Sequence, residues 1–337
     1  MYTPQPIPTP EVTYLPNPEH QSESHTSTIY ALTSTPRYII SGSKDHSIRI
    51  WSKQTQHLAF PPLLAHVGAV VAIEASDAPE LIFSGDGKGN VMIWDLTTGA
   101  LAQNMENAHT DTVLGVAFKG RVLVTASRDQ SVKVWEGGPD DDAENEFNAF
   151  RLRHTLLGHQ GAVLSVCVTH DGTRAVTMSG ADRAMRVWDL RSGEVLKSFE
   201  GLAGAAVKLQ LIGGERKVLA ACTDTGIRVF DLESGEEEVC VYGHGNVVRA
   251  VQMVGSQDES KMVSASYDST VRLWERSDGG RGAWSTVRTF SFREAVGNFK
   301  MSADDAKRVY DVVVDETDGC IYACGEAREI VQWKLES

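Results

Sequence analysis

The chain has 337 residues, 42% of them hydrophobic, which is enough for a sizeable core and excludes wholesale disorder. Its formal net charge of -13 argues against a surface that grips phosphate backbones throughout, because that affinity comes from clustered Lys and Arg. Five cysteines in so long a chain do not read as a disulfide framework and fit a reducing compartment, cytosol or nucleus; no apolar run is long enough for a transmembrane helix, and the start MYTPQPIPTPEVTYLPNPEH has neither the basic nor the apolar stretch of a signal peptide.

Taken in chain order, residues 1–10 carry Pro4, Pro6, Pro8 and Pro10 and are expected to form a flexible, extended tail. Glu11 to Leu15 is strand-like. Then comes the dominant pattern, seven short alternating runs that each end in an aromatic residue: SIRIW at Trp51, VMIW at Trp94, SVKVW at Trp135, AMRVW at Trp188, GIRVF at Phe230, TVRLW at Trp274 and EIVQW at Trp333. Their spacings are 43, 41, 53, 42, 44 and 59 residues. Period-2 alternation predicts strands, and the two long spacings predict insertions into a repeat of about 40–45 residues. Upstream of the aromatic there is often a His (His25, His66, His109, His159 and His244), and six residues before it an Asp (Asp45, Asp129, Asp182, Asp224 and Asp268).

These residues resemble the WD-repeat, or β-transducin-like, family over roughly residues 20 to 337, including the terminal dipeptide at Trp94-Asp95 and Trp188-Asp189 and its variant Phe230-Asp231. The resemblance implies an all-β fold, a seven-bladed propeller with four antiparallel strands per blade, built as one domain over residues 11–337. It also implies a hydrogen-bonded chain of four side chains in each blade: His25, Ser41, Asp45 and Trp51 in blade one; His109, Thr125, Asp129 and Trp135 in blade three; His159, Thr177, Asp182 and Trp188 in blade four; His244, Ser264, Asp268 and Trp274 in blade six. Blade two has Lys88 where the Asp is expected. Blade five has Ala203 for the His. Blade seven has Asp305 for the His and Ala327 for the Asp. These three blades are expected to be looser.

Blade seven runs out of sequence after its third strand, so Glu11 to Leu15 is expected to pair along its open edge, which would otherwise invite aggregation. An acidic insertion at 136–150, with Pro139, Asp140, Asp141, Asp142, Glu144 and Glu146, reads as a solvated linker or, alternatively, a dock for a basic partner. A second insertion at 276–303 carries Trp284, expected to pack on blade six beside an outer strand near Ser285 to Phe290.

Two positions per blade are expected to face partners. One lies in the innermost strand and reads Tyr30, Val71, Leu114, Leu164, Lys208, Arg249 and Tyr310; the other precedes the turn Asp and reads Lys44, Arg128 and Tyr267 in blades one, three and six. Blades two to four would then offer an apolar half. Blades five to one would offer a basic, tyrosine-rich half suited to a peptide with apolar anchors and acidic or phosphorylated residues. Alternatively the apolar residues plug the channel and the cations are solvated.

No catalytic residue, cofactor or metal is expected. Cys320 and Cys324 lie four apart on one strand, too far apart to chelate a metal alone, and read as core. Gly85 to Asn90 is Gly-rich but lacks a following helix, and reads as a hairpin turn. The expected role is a non-enzymatic scaffold or adaptor that binds other proteins in a cytoplasmic or nuclear complex, without membrane or nucleic acid. The alternatives are a substrate-recognition propeller of a ubiquitin-ligase-type assembly, although no F-box precedes His25, and an enzyme that uses the channel mouth.

Overall fold

The computed structural model describes residues 11–137, 149–255, 259–277, 282–297 and 308–335. The proline-rich segment 1–10, the acidic residues Pro139 to Glu146 and Asp305 lie outside them.

Strand β1 (Val12–Leu15) comes first, followed by a short 3-10 turn, Pro18–Glu23. Blade one holds β2 (Ile29–Ser34), β3 (Tyr38–Ser43) and β4 (Ile48–Ser52). Blade two holds β5 (Val70–Asp77), β6 (Glu80–Asp86), β7 (Val91–Asp95) and β8 (Leu101–Met105). Blade three holds β9 (Val113–Lys119), β10 (Val122–Ser127), β11 (Val132–Gly137) and β12 (Phe150–Leu156). Blade four holds β13 (Val163–Val168), β14 (Arg174–Ser179), β15 (Met185–Asp189) and β16 (Val195–Phe199). Blade five holds β17 (Ala206–Ile212), β18 (Lys217–Cys222), β19 (Ile227–Asp231) and β20 (Glu237–Val241). Blade six holds β21 (Val248–Val254), β22 (Lys261–Ser266), β23 (Thr270–Arg276) and β24 (Trp284–Ser291), then helix α1 (Phe292–Gly297). Blade seven holds β25 (Val309–Asp315), β26 (Cys320–Gly325) and β27 (Ile330–Lys334).

The chain is thus an all-β, seven-bladed propeller. Each blade is an antiparallel meander, and β1 crosses the whole sequence to pair with β27 as the outermost strand of blade seven. Blade one has only three regular strands. Its outer segment touches β4 through isolated bridges at Ile48–Leu63 and Trp51–Leu58, because Pro61 and Pro62 have no N–H to donate to a ladder. Trp284 begins β24 and packs against the blade five–six core with Arg276 over its ring.

Seven buried clusters, one per pair of neighbouring blades, form the core among the described residues. The repeat-ending aromatic of each blade packs toward the preceding blade: Trp94 lies with Ile40 and Ile50 of blade one, and Trp51 with Tyr322 of blade seven. This explains the conserved-looking spacing within the chain. One large ring per repeat fills the wedge between two twisted sheets.

The polar chain runs from the third strand to the leading loop. In blade one the Trp51 indole N–H donates to Ser41 Oγ (2.8 Å), His25 Nε2 lies 2.8 Å from that oxygen, and His25 Nδ1 lies 3.0 Å from Asp45. Matching distances of 2.7–3.1 Å link Trp135, Thr125, His109 and Asp129; Trp188, Thr177, His159 and Asp182; and Trp274, Ser264, His244 and Asp268. In blades one, three and six one proton order satisfies every member: Trp N–H to hydroxyl, hydroxyl to His Nε2, His Nδ1–H to carboxylate.

Blade two corrects an expectation. Lys88 does stand at the usual Asp position, yet the chain is complete because Asp86, two residues earlier, bonds His66 Nδ1 at 3.1 Å, while Ser84 bridges His66 and Trp94. Blade five is rebuilt. Counting from the first residue of each innermost strand, Leu202 and not Ala203 occupies the His position, and Ala220 and Phe230 replace the hydroxyl and the Trp. The vacated space holds Arg228, 2% exposed, which donates twice to Asp224 (2.6 Å each), to Glu237 (2.8 Å) and to the Tyr242 hydroxyl (2.9 Å). In blade seven, Phe292, Ala295 and Val296 of α1 join Ala327 and Trp333 in one apolar cluster. Polar satisfaction is replaced there by a hydrophobic plug.

This arrangement makes stability pH-dependent. Burial pushes the His109 imidazole down to about 4 against the pull of Asp129. Burial would raise Asp129, but hydrogen bonds from Ser131 and from the Thr110 amide, with the charge of His109, hold it at about 2. His25 and His159 are also lowered, chiefly by burial. The unfolded chain binds protons near the ordinary imidazole value of 6.5 that the folded chain refuses until about 4, so this stability is present above pH 6.5 and lost as pH falls toward 4. Urea midpoints are expected to drop over that window by an amount equivalent to about 1–3 kcal/mol. His109→Gln should flatten the slope; an unchanged slope would remove His109 as a source.

Candidate functional site

Every innermost strand breaks register once, at the same point, where one residue is left over between two paired ones. A bulge of this kind re-aims its side chain. The seven bulged residues are Tyr30, Val71, Leu114, Leu164, Val207, Arg249 and Tyr310, and together with Tyr267 they line one cavity of about 190 Å³ at a mouth of the central channel.

Six of these seven are residues the sequence singles out. The exception is blade five, where Val207 lines the mouth and Lys208 does not. Lys208 follows the bulge, so it lies one level deeper, 44% exposed, with its ammonium 3.4 Å from Asp311 of blade seven. Ala250 stands at this level in the intervening blade six and is small enough to leave room. Asp311 is 6% exposed and also accepts the Leu32 N–H at 3.1 Å, which ties blade seven to blade one. Glu74 lies in the same ionic neighbourhood; burial raises its carboxyl, while Lys119 and Lys208 oppose the shift. The deeper channel is therefore crossed by ion-paired groups.

The mouth itself has two sides. Val71, Leu114, Leu164 and Val207 make an unbroken apolar arc over blades two to five. Blades six, seven and one make an aromatic arc. Tyr310 meets Tyr30 edge-on at 5.1 Å and Tyr267 at 5.3 Å. Arg249 and Arg308 both lie over the Tyr267 ring, at 5.9 and 5.2 Å. Burial, then Tyr267 and Glu326, push the Tyr310 phenol up to about 12, so it stays protonated and able to donate.

Lys44 and Arg128 do not reach the cavity. Both are exposed on the surrounding surface, and Arg128 lies 3.9 Å from Asp111 with 66% of its side chain in solvent. Arg308 and Glu326 were missed by sequence reasoning. Glu326 occupies in blade seven the place that Lys44, Arg128 and Tyr267 hold elsewhere, as its N–H bond to the Arg308 carbonyl shows, and it lies 3.8 Å from the Arg308 side chain. The basic half thus carries an internal carboxylate. Among the described residues no cluster of three or more His, Cys, Asp or Glu is placed to hold a metal ion. No described helix is long and apolar enough to cross a membrane.

With this geometry established, comparison with known proteins identifies the repeat. The WD domain, G-beta repeat family matches residues 16–52, 102–136, 150–189 and 235–275. Four stretches of the chain are thus WD repeats, carried on a seven-bladed propeller. The WD40 β-propeller domain of Doa1 superposes with a TM-score of 0.74 over 93% of this chain and 95% of that domain, at 18% identity, which speaks to the fold alone. Among curated relatives, the nuclear distribution protein PAC1 of Candida tropicalis is 32% identical over 36% of this chain and 24% of its own length. The ribosome biogenesis protein WDR12 homolog of Ixodes scapularis is 25% identical over 74% of this chain and 65% of its own length. The autophagy-related protein 16 of Arabidopsis thaliana is 22% identical over 72% and 46% respectively. The matches span less than two thirds of each of these relatives.

Proposed function

We propose that this WD-repeat propeller is a non-catalytic scaffold or adaptor that grips a peptide or domain of a partner protein at the channel mouth. The observation that carries this reading is the convergence of all seven bulged residues on one cavity, half apolar and half aromatic and basic. Tyrosine and arginine are enriched among the residues that dominate interface energetics: tyrosine buries a large rigid ring, and arginine forms charge-assisted hydrogen bonds. The relatives support it in kind, since their names place them in processes rather than in single reactions. Five unpaired cysteines support a cytosolic or nuclear setting.

Affinity purification followed by mass spectrometry tests the reading. Arg249→Glu combined with Tyr310→Ala is expected to reduce recovery of the principal partners by roughly tenfold or more, the scale of losing interface anchors. Lys44→Glu, away from the cavity, should leave recovery within about twofold. Unchanged recovery from a folded double variant would dismiss the mouth as the working surface.

A further inference from the structure

Resting on that reading, we infer that the mouth recognises the C-terminal residue of a partner chain, taking its apolar or aromatic side chain on the Val71–Leu114–Leu164–Val207 arc and its terminal carboxylate on Arg249.

The first observation is an unmatched charge. Two other cations at this end of the ring have carboxylate neighbours, Arg308 with Glu326 and Lys208 with Asp311. Arg249 has none among the described residues, and its Nε is buried without any hydrogen-bond partner. The orphaned Nε itself recurs at Arg49 and Arg272, which do not line the cavity; what sets Arg249 apart is that it brings an uncompensated cation to a cavity lined on its other side by apolar residues, which suits an anionic ligand. The Tyr267 ring lies against the guanidinium and holds its plane.

The second observation is size. About 190 Å³ is below the 300–1,000 Å³ range of small-molecule sites and suits one large residue. That one residue must bring both apolar bulk and negative charge. An internal Leu or Phe brings bulk alone, and an internal Asp or Glu brings charge alone. A C-terminal apolar residue brings both, from a single Cα.

The third observation is direction. Arg249 and the apolar arc sit at the same level of the ring, because all are bulge residues of equivalent strands; the arc starts beside Arg249 at Val207 of blade five and reaches across the mouth to Leu114 and Val71 of blades three and two. A carboxylate and a side chain that diverge sideways from one Cα match this layout. A phosphotyrosine carries its charge at the tip of the ring and would drive it toward Asp311, one level deeper, and the neighbouring Glu74.

The test is a peptide array anchored by the N-terminus, varied at the last positions, and made both as free acids and as C-terminal amides. Binding of the full chain is expected to select Leu, Ile, Met or Phe at the last position, with the acid favoured over the amide by roughly tenfold or more, the scale of a charge-assisted hydrogen bond. Arg249→Gln should erase the acid preference, Arg249→Lys should keep part of it, and Leu114→Glu should suppress binding; a thermal melt of each variant shows that it folds. Equal binding of acids and amides, selection at internal positions or of phosphotyrosine, or no binding at all overturns the inference. N-acetylphenylalanine that binds as tightly as the best peptide would assign the pocket to a free small acid and also overturn it. Partners lost in the Arg249→Glu, Tyr310→Ala purification without any acid preference on the array would leave the scaffold reading standing and this inference alone refuted.

Discussion

Asp86→Ala is expected to lower folding stability by about 3–5 kcal/mol, the range for breaking a buried charge-bearing network, whereas Lys88→Ala should stay within about 0.5 kcal/mol. Asp86 has no solvent exposure. It accepts from His66 Nδ1 (3.1 Å), the Gly68 amide (3.3 Å), the Lys88 amide (2.8 Å), and both the amide and the side chain of Asn90 (3.0 Å each, the latter to Oδ2). Removing the carboxylate strands the His66, Gly68 and Asn90 donors in buried residues, and each orphaned group costs about 1–3 kcal/mol before relaxation. Relaxation explains why the total falls short of the sum. Chemical denaturation of the two variants decides it. A loss below about 1 kcal/mol for Asp86→Ala would mean that blade two does not depend on its polar chain.

The same residue shows where sequence reasoning reached its limit. The repeat and the number of blades follow from spacing, because a large aromatic every 40-odd residues is a packing requirement that recurs in every wedge, and the strand-closing segment follows from the four-stranded blade that the family resemblance implies. Asp86 did not follow, because it stands eight residues before Trp94 where the other blades place their Asp six before the aromatic. The turn is more permissive than that. In blades one, three and six, Ser43, Ser127 and Ser266 sit two residues before the Asp, and their hydroxyls cap the turn. In blade two the carboxylate moves into that Ser position, and Asn90 takes the place of Ser47, Ser131 and Thr270. The signal was present as the pair Asp86 and Asn90, two changes that make sense only together.

Blade five slipped by one residue, twice, for one reason. With neither the His nor the Trp to anchor the alignment, Ala203 was matched in place of Leu202 and Lys208 in place of Val207. A bulge is a property of strand pairing, so no single-strand pattern reveals where it falls. Arg228 was equally hidden. Its neighbours in the repeat, Arg49, Arg186 and Arg272, are also basic, and what distinguishes it is the loss of three residues elsewhere in the blade. The helix Phe292–Gly297 lay inside an insertion and has too few residues to show helical periodicity. At the mouth, Val71, Leu114 and Leu164 of the apolar arc and three tyrosines were legible, while its fourth member, Val207, was not. The Arg308–Glu326 pair was not, because blade seven lacks the Asp that marks the position.

Removal of residues 1–15 is expected to cost about 5 kcal/mol or more and to convert the chain to an aggregating species, because four kinds of interaction are lost at one seam. Strand β1 pairs residue for residue with β27, from Val12 with Trp333 to Leu15 with Ile330. Thr13 donates to Gln332 at 2.7 Å, and the Tyr14 hydroxyl to the Ala295 carbonyl of α1 at 3.0 Å. Leu15 is 1% exposed in the cluster between blades seven and one, where it meets Ile29, Trp51 and Tyr322. Leu15→Ala alone should cost about 2–4 kcal/mol by the cavity it leaves, and should not aggregate, because the backbone edge stays covered. The comparison separates closure from burial: the truncation adds a bare β27 edge and uncovers Trp333, now 1% exposed, whereas the point variant adds only a void. Thermal melts and size-exclusion chromatography read the two effects independently. A truncated chain that elutes as a monomer and melts within about 2 °C of the parent would show that the ring closes without its N-terminal strand, since a loss of even 1 kcal/mol moves the midpoint of a chain this long by a degree or more.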